Sequence, residues 1–324
     1  MRDEHEEFER PRRHTRPRTK DRPNYDDLPL GRVVTVDRGR YSVALDDTAP
    51  DDPYITAMKA RTIGRQGVVV GDSVRLDGDV SGAAGSLARI AEVLPRRTVL
   101  RRSADDDDPY ERIAVANADQ LVIVTALADP PPRPALIDRC LVAAYDGGLA
   151  PVVVLTKADL ASAEEMLGLL TPLDVRVIVT SRDDPIDNVR AVLVDRTSVL
   201  IGHSGVGKST LVNALVPDAG RNTSEVNELT GRGRHTSTSV VAVPLPQGGW
   251  IIDTPGFRSF GLAHIEPQDV IKAFPDIVAI TSECPRGCTH LAGEPDCALD
   301  TSDVPSERVA SLRRILSARQ SSDY

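Results

Sequence analysis

One short stretch restricts the fold of this chain more than any other. In residues 201–215, IGHSGVGKSTLVNAL, an apolar strand runs into the pattern G-x-x-x-x-G-K-[ST] and then into a helical periodicity. Glycines let backbone amides turn toward phosphate groups, and the N-terminus of the following helix adds its positive dipole end. The strand, the pattern and the helix together predict a phosphate-binding loop at 202–209.

This loop predicts a defined set of contacts. Lys208 is expected to reach the β- and γ-phosphates and to act in catalysis, because it neutralises charge on the transferring group. Ser209 is expected to bind Mg²⁺. The residues predicted to surround the nucleotide phosphates are Gly202, His203, Ser204, Gly205, Val206, Gly207, Lys208, Ser209 and Thr210.

A second apolar strand, in WIIDTPGF, supplies further phosphate contacts. Asp253 ends this strand, where its carboxylate can reach the Mg²⁺ shell through water. Gly256 has no side chain to block its amide from the γ-phosphate. The glycine-rich stretch TGRGRHTSTSVV lies between the two phosphate motifs, where a switch segment would donate a hydroxyl to Mg²⁺. Thr236, Ser237 and Thr238 are all candidates for this hydroxyl.

Four residues that follow the strand PVVVL predict which base is bound. The Asp159 carboxylate can accept hydrogen bonds from guanine N1 and its 2-amino group, neither of which adenine offers. The stem of Lys157 would stack over the base. Thr156 and Ser181 are expected to support the base from the ends of two neighbouring strands.

These motifs occur in a rotated order. The base-reading strands come first, then the phosphate loop, the first switch and Asp-Thr-Pro-Gly. This order indicates a circularly permuted P-loop GTPase domain, which is feasible because domain termini usually lie near each other. The second switch would then run straight into the C-terminal domain, so an order change at the γ-phosphate could reach that domain.

The alternation of elements gives the fold class. Between residues 110 and 262, continuous apolar runs alternate with helical stretches, which is typical of an α/β domain with a mainly parallel sheet. Residues 28–98 carry several short strands with frequent turns and predict a small all-β barrel, of either the OB or the SH3-like type. Residues 99–109 are expected to be a linker.

The first 27 residues have an acidic start and a basic run broken by prolines, a composition that does not bury enough apolar surface to fold alone. They predict either a solvated tail or a basic arm that orders on RNA. The net charge of −9 argues against non-specific coating of nucleic acid. A local basic patch stays compatible with that charge and would include Arg232, Arg234, Arg313, Arg314 and the 10–22 arm.

Three of the four cysteines lie close together beside a histidine. The spacing C-x3-C-x-H-x6-C offers three thiolates and one imidazole, the closed tetrahedral set of a structural zinc site. Three cysteines cannot pair among themselves as disulfides. The expected zinc ligands are Cys284, Cys288, His290 and Cys297, in a mostly helical, zinc-binding C-terminal domain at 263–324. Cys140 is expected to be a small core residue.

No apolar run approaches the roughly 20 residues that span a bilayer. The N-terminus is nearly devoid of apolar residues, so we do not expect a signal peptide. We expect a cytoplasmic protein without a membrane partner.

Together these motifs resemble the ribosome small-subunit-dependent GTPase A family, also called RsgA or YjeQ. The resemblance rests on GHSGVGKSTLVNAL, GRGRHTSTS, DTPGF and the Cys-Cys-His-Cys cluster, and it covers almost the whole chain after residue 30. It implies that the barrel is an OB-fold. It also implies a GTPase that binds the small (30S) ribosomal subunit and its 16S rRNA late in assembly, is stimulated by the subunit and leaves after hydrolysis. We expect a monomer that binds GTP and GDP, with Mg²⁺ and one Zn²⁺.

The resemblance also bears on catalysis. Phe257 stands where many GTPases carry a water-orienting glutamine, and the resemblance points instead to His235 as the catalytic residue. A loop histidine that touches phosphate or rRNA is the alternative. The Mg²⁺-binding hydroxyl of the switch would come from Ser237 or Thr236. Thr156 replaces the family's asparagine, which could weaken its bracing of the neighbouring loops.

Two other functions fit parts of the pattern. A metabolic P-loop nucleotide kinase or ATPase would bind ATP and have no use for Asp159. An RNA-binding module with a purely structural nucleotide site would not hydrolyse GTP, even with ribosomal subunits present.

Overall fold

The computed structural model describes residues 24–46, 52–64, 67–102, 112–216, 240–254, 262 and 265–318. In this part of the chain the strands are β1 (Leu30–Asp37), β2 (Arg40–Leu45), β3 (Ile55–Lys59), β4 (Ser73–Gly78), β5 (Ala88–Val93), β6 (Val99–Arg102), β7 (Arg112–Ala116), β8 (Gln120–Ala126), β9 (Ala150–Thr156), β10 (Arg176–Val179), β11 (Thr197–Ile201), β12 (Val241–Pro244) and β13 (Trp250–Asp253). The α-helices are α1 (Pro134–Asp146), α2 (Glu164–Leu170), α3 (Asp187–Leu193), α4 (Lys208–Leu215), α5 (Pro267–Ile271), α6 (Pro275–Thr281) and α7 (Ser306–Ala318).

The predicted nucleotide-binding domain is built on a parallel sheet in the order β10-β9-β8-β11-β13, with β12 antiparallel at its edge. Every residue of β8 is buried. Because side chains alternate across a strand, Leu121 and Ile123 enter the core beneath α1, whereas Val122 and Val124 enter the core beneath α3 and α4. The predicted α/β class with a mainly parallel sheet is confirmed.

The N-terminal domain is a barrel of five strands. They pair in the order β1-β2-β3-β5-β4, and β4 returns to β1 to close the barrel. Val33, Val74, Leu76 and Ile90 fill its interior and are fully buried. The small barrel predicted from the short strands is confirmed, and its topology is the five-stranded OB type.

Strand β1 joins the barrel to the nucleotide-binding sheet. A bulge between Val33 and Thr35 shifts its register, so Val33 packs in the barrel while Val34 packs in the core beneath α1. Just past the bulge, Thr35 pairs with Val241 of β12. A single sheet therefore runs through the barrel and the predicted nucleotide-binding domain. We keep 28–98, 110–262 and 263–324 as our proposed domain limits, although a continuous sheet crosses the first joint.

Residues 99–102, which we expected to begin a linker, instead form β6. This strand pairs antiparallel with β7 in a separate two-stranded sheet. Leu100 is buried in the core beneath α1. Val99 and Leu100 are the only apolar residues of this strand and arginines lie on both sides of them, so the sequence did not indicate a strand here.

The C-terminal region, residues 265–318, packs against α1. Phe274 is buried and its ring meets Tyr145 of α1 edge to face, with 5.4 Å between ring centroids. Arg314 of α7 forms a two-pronged ion pair with the buried Asp138 of α1, at 2.8 and 3.1 Å. The predicted helical C-terminal region is confirmed, and α7 begins at Ser306. Among the described residues, no helix has the length and apolar character needed to span a bilayer.

We predict that Gly71→Ala destabilises the junction between the barrel and the predicted nucleotide-binding domain. Gly71 has φ +88°, and a Cβ there would lie 2.0 Å from the carbonyl oxygen of Ala116. The left-handed backbone costs an alanine about 1 kcal/mol and the overlap adds about 1–3 kcal/mol. Urea unfolding measures the loss. Gly39→Ala is the control, because Gly39 has φ +84° with nothing within 4 Å. Equal losses in the two variants would contradict this prediction.

Candidate functional site

The phosphate loop lies between β11 and α4. Gly207 caps α4 in a left-handed conformation (φ 91°), and Lys208 is the first helical residue. Leu211 and Leu215 anchor α4 in the core on one face of the sheet, which fixes the direction of its N-terminus. Ser209 and Thr210 are exposed in the first turn. The loop therefore has the strand, turn and helix context that its sequence predicts.

Thr156, at the end of β9, connects the base-reading segment to the phosphate loop. Its hydroxyl is 2.7 Å from the carbonyl oxygen of Val206 and 3.2 Å from that of Thr125. A hydroxyl has one proton, so the shorter contact to Val206 is the stronger hydrogen bond. Thr156 therefore makes the brace between loops despite replacing an asparagine.

Two turns at the carboxyl ends of β9 and β10, residues 156–159 and 180–181, form what we call the base-reading turns. The amide of Ala158 donates to the carbonyl of Thr180 at 3.2 Å, which holds the two turns together. Asp159 is exposed, so its carboxylate is free of protein cover. The amide of Ser181 donates to the Asp184 carboxylate at 2.6 Å.

Lys157 occupies a strained position in the first turn. Its φ is +59°, and its ammonium donates to the carbonyl of Asp129, in the loop between β8 and α1. Sequence reasoning missed Asp129, because the contact involves a backbone carbonyl that any residue could supply. Nothing in the sequence indicates which loop receives the lysine.

Lys208 and Asp253 form an ion pair at the centre of the site. Asp253 reaches this place because β13 lies parallel to β11, with Leu200 and Asp253 in register. The next residue, Thr254, is buried and donates to the carbonyl of Leu200 at 2.8 Å, which fixes the end of β13. The lysine predicted to bind phosphate and the aspartate predicted to bind Mg²⁺ are therefore in direct contact with each other.

Several predicted residues lie outside the described part of the chain. These are His235, Thr236, Ser237 and Gly256. His203 is described, and its Nδ1 lies 3.1 Å from the carbonyl oxygen of Ser204.

A second site lies in the C-terminal region. One donor atom from each of Cys284, Cys288, His290 and Cys297 lies within 4.8 Å of all the others. The amide of Ala298 donates to the Sγ of Cys284 at 3.3 Å, which helps to fix the position of that sulfur. Three sulfurs and one imidazole in this arrangement suit a metal ion such as Zn²⁺.

Burial disfavours the charged forms of two members of this cluster, Cys288 and His290. Burial raises the pKa of Cys288 to about 11, and burial lowers the pKa of His290. A bound cation would reverse the first effect by stabilising the thiolate.

Arg313 and Arg314, which the sequence suggested for a basic patch, are engaged inside the protein. Arg313 donates to the carbonyl of His290 at 3.1 Å, lies 3.8 Å from the Sγ of Cys297 and pairs with Asp300 at 2.8 Å. It therefore braces the metal-ligand cluster. Sequence reasoning missed this role because the arginine comes from a helix distant in sequence.

Comparison with known proteins agrees with this geometry. The family model described as RsgA GTPase matches residues 93–263. The small ribosomal subunit biogenesis GTPase RsgA of Chlorobaculum tepidum is 37% identical over 77% of this chain and 84% of that protein. RsgA of Streptomyces avermitilis is 35% identical over 90% of this chain and 80% of that protein.

Two solved structures extend the likeness to the fold. YjeQ from Thermotoga maritima gives a TM-score of 0.66 at 25% identity, covering 89% of this chain and 97% of YjeQ. YloQ, described as a circularly permuted GTPase, gives 0.65 at 26% identity, covering 93% and 98%. The family match spans more than half of the chain and includes both the phosphate loop and the base-reading turns, and the chain therefore belongs to the RsgA GTPase family.

Proposed function

We propose that this protein hydrolyses GTP during late maturation of the small ribosomal subunit, is stimulated by that subunit and leaves it after hydrolysis. The observation that supports the proposal is the hydrogen bond from Thr156 to the carbonyl of Val206, which joins the turn that we propose to read guanine to the proposed phosphate loop. Relatives that cover most of the chain are named small ribosomal subunit biogenesis GTPases.

Lys208 supplies the positive charge for phosphoryl transfer. Its ammonium is paired with Asp253 in this structure, and GTP with Mg²⁺ offers both groups stronger partners. Lys208 would contact the β- and γ-phosphates, and Asp253 and Ser209 would hold Mg²⁺, which would neutralise charge on the phosphates. Ser237 or Thr236 would supply the second protein hydroxyl to Mg²⁺.

His235 is our proposed catalytic residue for the attacking water, on the strength of the resemblance. Phe257 cannot orient water, so turnover by the isolated protein is slow. Docking on the subunit brings His235 to the γ-phosphate. Gly256 donates its amide to the same phosphate.

The proposed role in ribosome assembly also implies an RNA ligand and a cellular location. The protein binds 16S rRNA through the barrel and the C-terminal region, as a cytoplasmic monomer. Cys284, Cys288, His290 and Cys297 hold one structural Zn²⁺. When bound, that ion cross-links the segment between α6 and α7, which carries few apolar residues of its own.

We predict that isolated small subunits stimulate GTP hydrolysis by about tenfold or more, because they complete a catalytic site that the free protein lacks. Lys208→Ala should lower the stimulated rate by about 100- to 1000-fold, the usual loss for one transition-state charge contact. Phosphate release, with and without subunits, measures both effects. Hydrolysis that ignores the subunits, or that favours ATP, would return the chain to the metabolic P-loop class or to an RNA-binding role.

We predict that Asp159→Asn shifts nucleotide preference from guanine to xanthine. Guanine presents two donors to the carboxylate, whereas the C2 carbonyl of xanthine accepts from an amide. The affinity for GTP should fall by about 100-fold, with a gain for XTP, in titrations of fluorescent nucleotides. Asp187→Asn is the matched control, because this exposed aspartate pairs with Arg190 on α3. An unchanged GTP affinity in Asp159→Asn would remove guanine reading from this turn.

We predict that the protein carries about one equivalent of zinc and that its apparent zinc affinity rises with pH. Since the pKa of Cys288 is about 11, this thiol is protonated at neutral pH and must lose its proton when it binds metal. Affinity should therefore increase from about pH 6 to pH 8 in competition with a chelator. Cys288→Ser should lose the metal, and Cys140→Ser should keep it. Equal zinc content in the two variants would disprove the site.

A further inference from the structure

The two base-reading turns are the ends of one segment. Residues 160–179 connect them through α2, a short 3-10 turn (Thr171–Leu173) and β10. The turns are also tied directly, since Ala158 donates to Thr180 at 3.2 Å and Thr180 donates to Leu155 at 2.9 Å. A displacement of this connecting segment therefore acts on both sides of the base.

Helix α7 of the C-terminal region holds the middle of the connecting segment. Arg314 donates to the carbonyl of Leu169 at 3.1 Å, near the end of α2. Arg308 donates to the carbonyl of Pro172 at 2.8 Å, in the 3-10 turn. Two guanidinium groups from one helix thus fix the backbone at neighbouring points.

Both arginines are themselves held firmly. Arg314 forks onto the buried carboxylate of Asp138 in α1 at 2.8 and 3.1 Å. Arg308 pairs with Asp276 at 2.7 Å and lies over the ring of Phe274, 5.4 Å from its centroid. Because a guanidinium group is planar and rigid, anchoring it to a carboxylate also fixes where its other N–H groups can hold a backbone carbonyl.

Burial raises the pKa of the Asp138 carboxyl, and the adjacent Arg314 opposes that shift. Removal of the guanidinium would leave this carboxyl buried without its partner, a costly arrangement. The contact is therefore more than an exposed surface ion pair.

From these contacts we propose that α7 of the C-terminal region controls how fast guanine nucleotide leaves, by holding the segment that connects the two base-reading turns. Arg314 and Arg308 are positioning residues in this device, because they act through the backbone of that segment. A partner that binds the C-terminal region would thereby change nucleotide exchange. The inference rests on the proposed function, since it assumes that the base-reading turns bind guanine.

This connection differs from the one that chain order suggests. The second switch precedes the C-terminal region in sequence, which favours a signal from the γ-phosphate. The described contacts of Arg308 and Arg314 instead reach the base side of the nucleotide site. The base side governs retention of GDP and GTP alike, because both carry guanine.

The test compares Arg314→Met with the wild type. Without the guanidinium, the segment loses its fixed backing, and release of a fluorescent GDP derivative should be about fivefold to tenfold faster. The preference for GDP over IDP should narrow, since IDP lacks the 2-amino group that Asp159 reads. A general loss of protein stability would instead lower the affinities for GDP and IDP by the same factor. The single-turnover rate of bound GTP should stay near that of the wild type.

Arg96→Met is the matched control. Arg96 forks onto the buried Asp72 in the barrel at 2.7 and 2.8 Å and also donates to the carbonyl of Gly67 at 2.8 Å. It therefore loses the same kind of ion pair and backbone contact, far from the base-reading turns. Only Arg314→Met should speed release.

Equal release rates in Arg314→Met and the wild type, or the same change in Arg96→Met, would overturn the inference while leaving the GTPase intact. If the wild type binds no guanine nucleotide, the proposed function fails and takes this inference with it. Should Arg314→Met not fold, Arg308→Lys decides the matter. It keeps the positive charge beside Asp276 but loses the fork that reaches Pro172, so faster release is again expected.

Discussion

The hydrogen bond from Thr156 to the carbonyl of Val206 is the contact on which the nucleotide site depends. It joins the carboxyl end of β9 to the loop that follows β11, two segments that adjoin in space because β8 lies between their strands. Parallel strands present all their carboxyl ends at one edge, where loops can converge on a ligand. The base-reading turns, the phosphate loop and Asp253 all lie at that edge.

The two flanking parts attach to this sheet by different physical means. The barrel continues the sheet through the Thr35–Val241 pair, and Arg32 secures the joint by donating to Thr197 at 2.7 Å and lying 5.7 Å from the ring centre of Trp250. The C-terminal region instead buries Phe274 against α1 and uses arginine contacts to backbone carbonyls. The barrel therefore adjoins β12, whereas the C-terminal region adjoins the segment between β9 and β10.

Sequence reasoning predicted the local geometry well where the residues concerned are close in the chain. The phosphate loop, the TKAD turn and the Cys-Cys-His-Cys spacing are short patterns whose geometry follows from residues close in the chain. It failed where a residue's partner is distant. Residues 99–102 were expected to be a linker, yet Leu100 is buried in the core beneath α1. Arg314 was expected in an exposed patch, yet it pairs with Asp138, which lies in α1, far earlier in the chain.

The sequence by itself determined the α/β class, the permuted order of the nucleotide motifs and the four members of the Cys-Cys-His-Cys cluster, because each depends on residue type and spacing. Only the tertiary structure decided that β1 leaves the barrel at a bulge, that Lys157 meets Asp129, and that α7 holds the segment between the base-reading turns. These contacts involve backbone carbonyls and strand register. Any residue type can supply a backbone carbonyl, and strand register is not encoded by a single residue. Such contacts therefore become visible only when distant segments pack together.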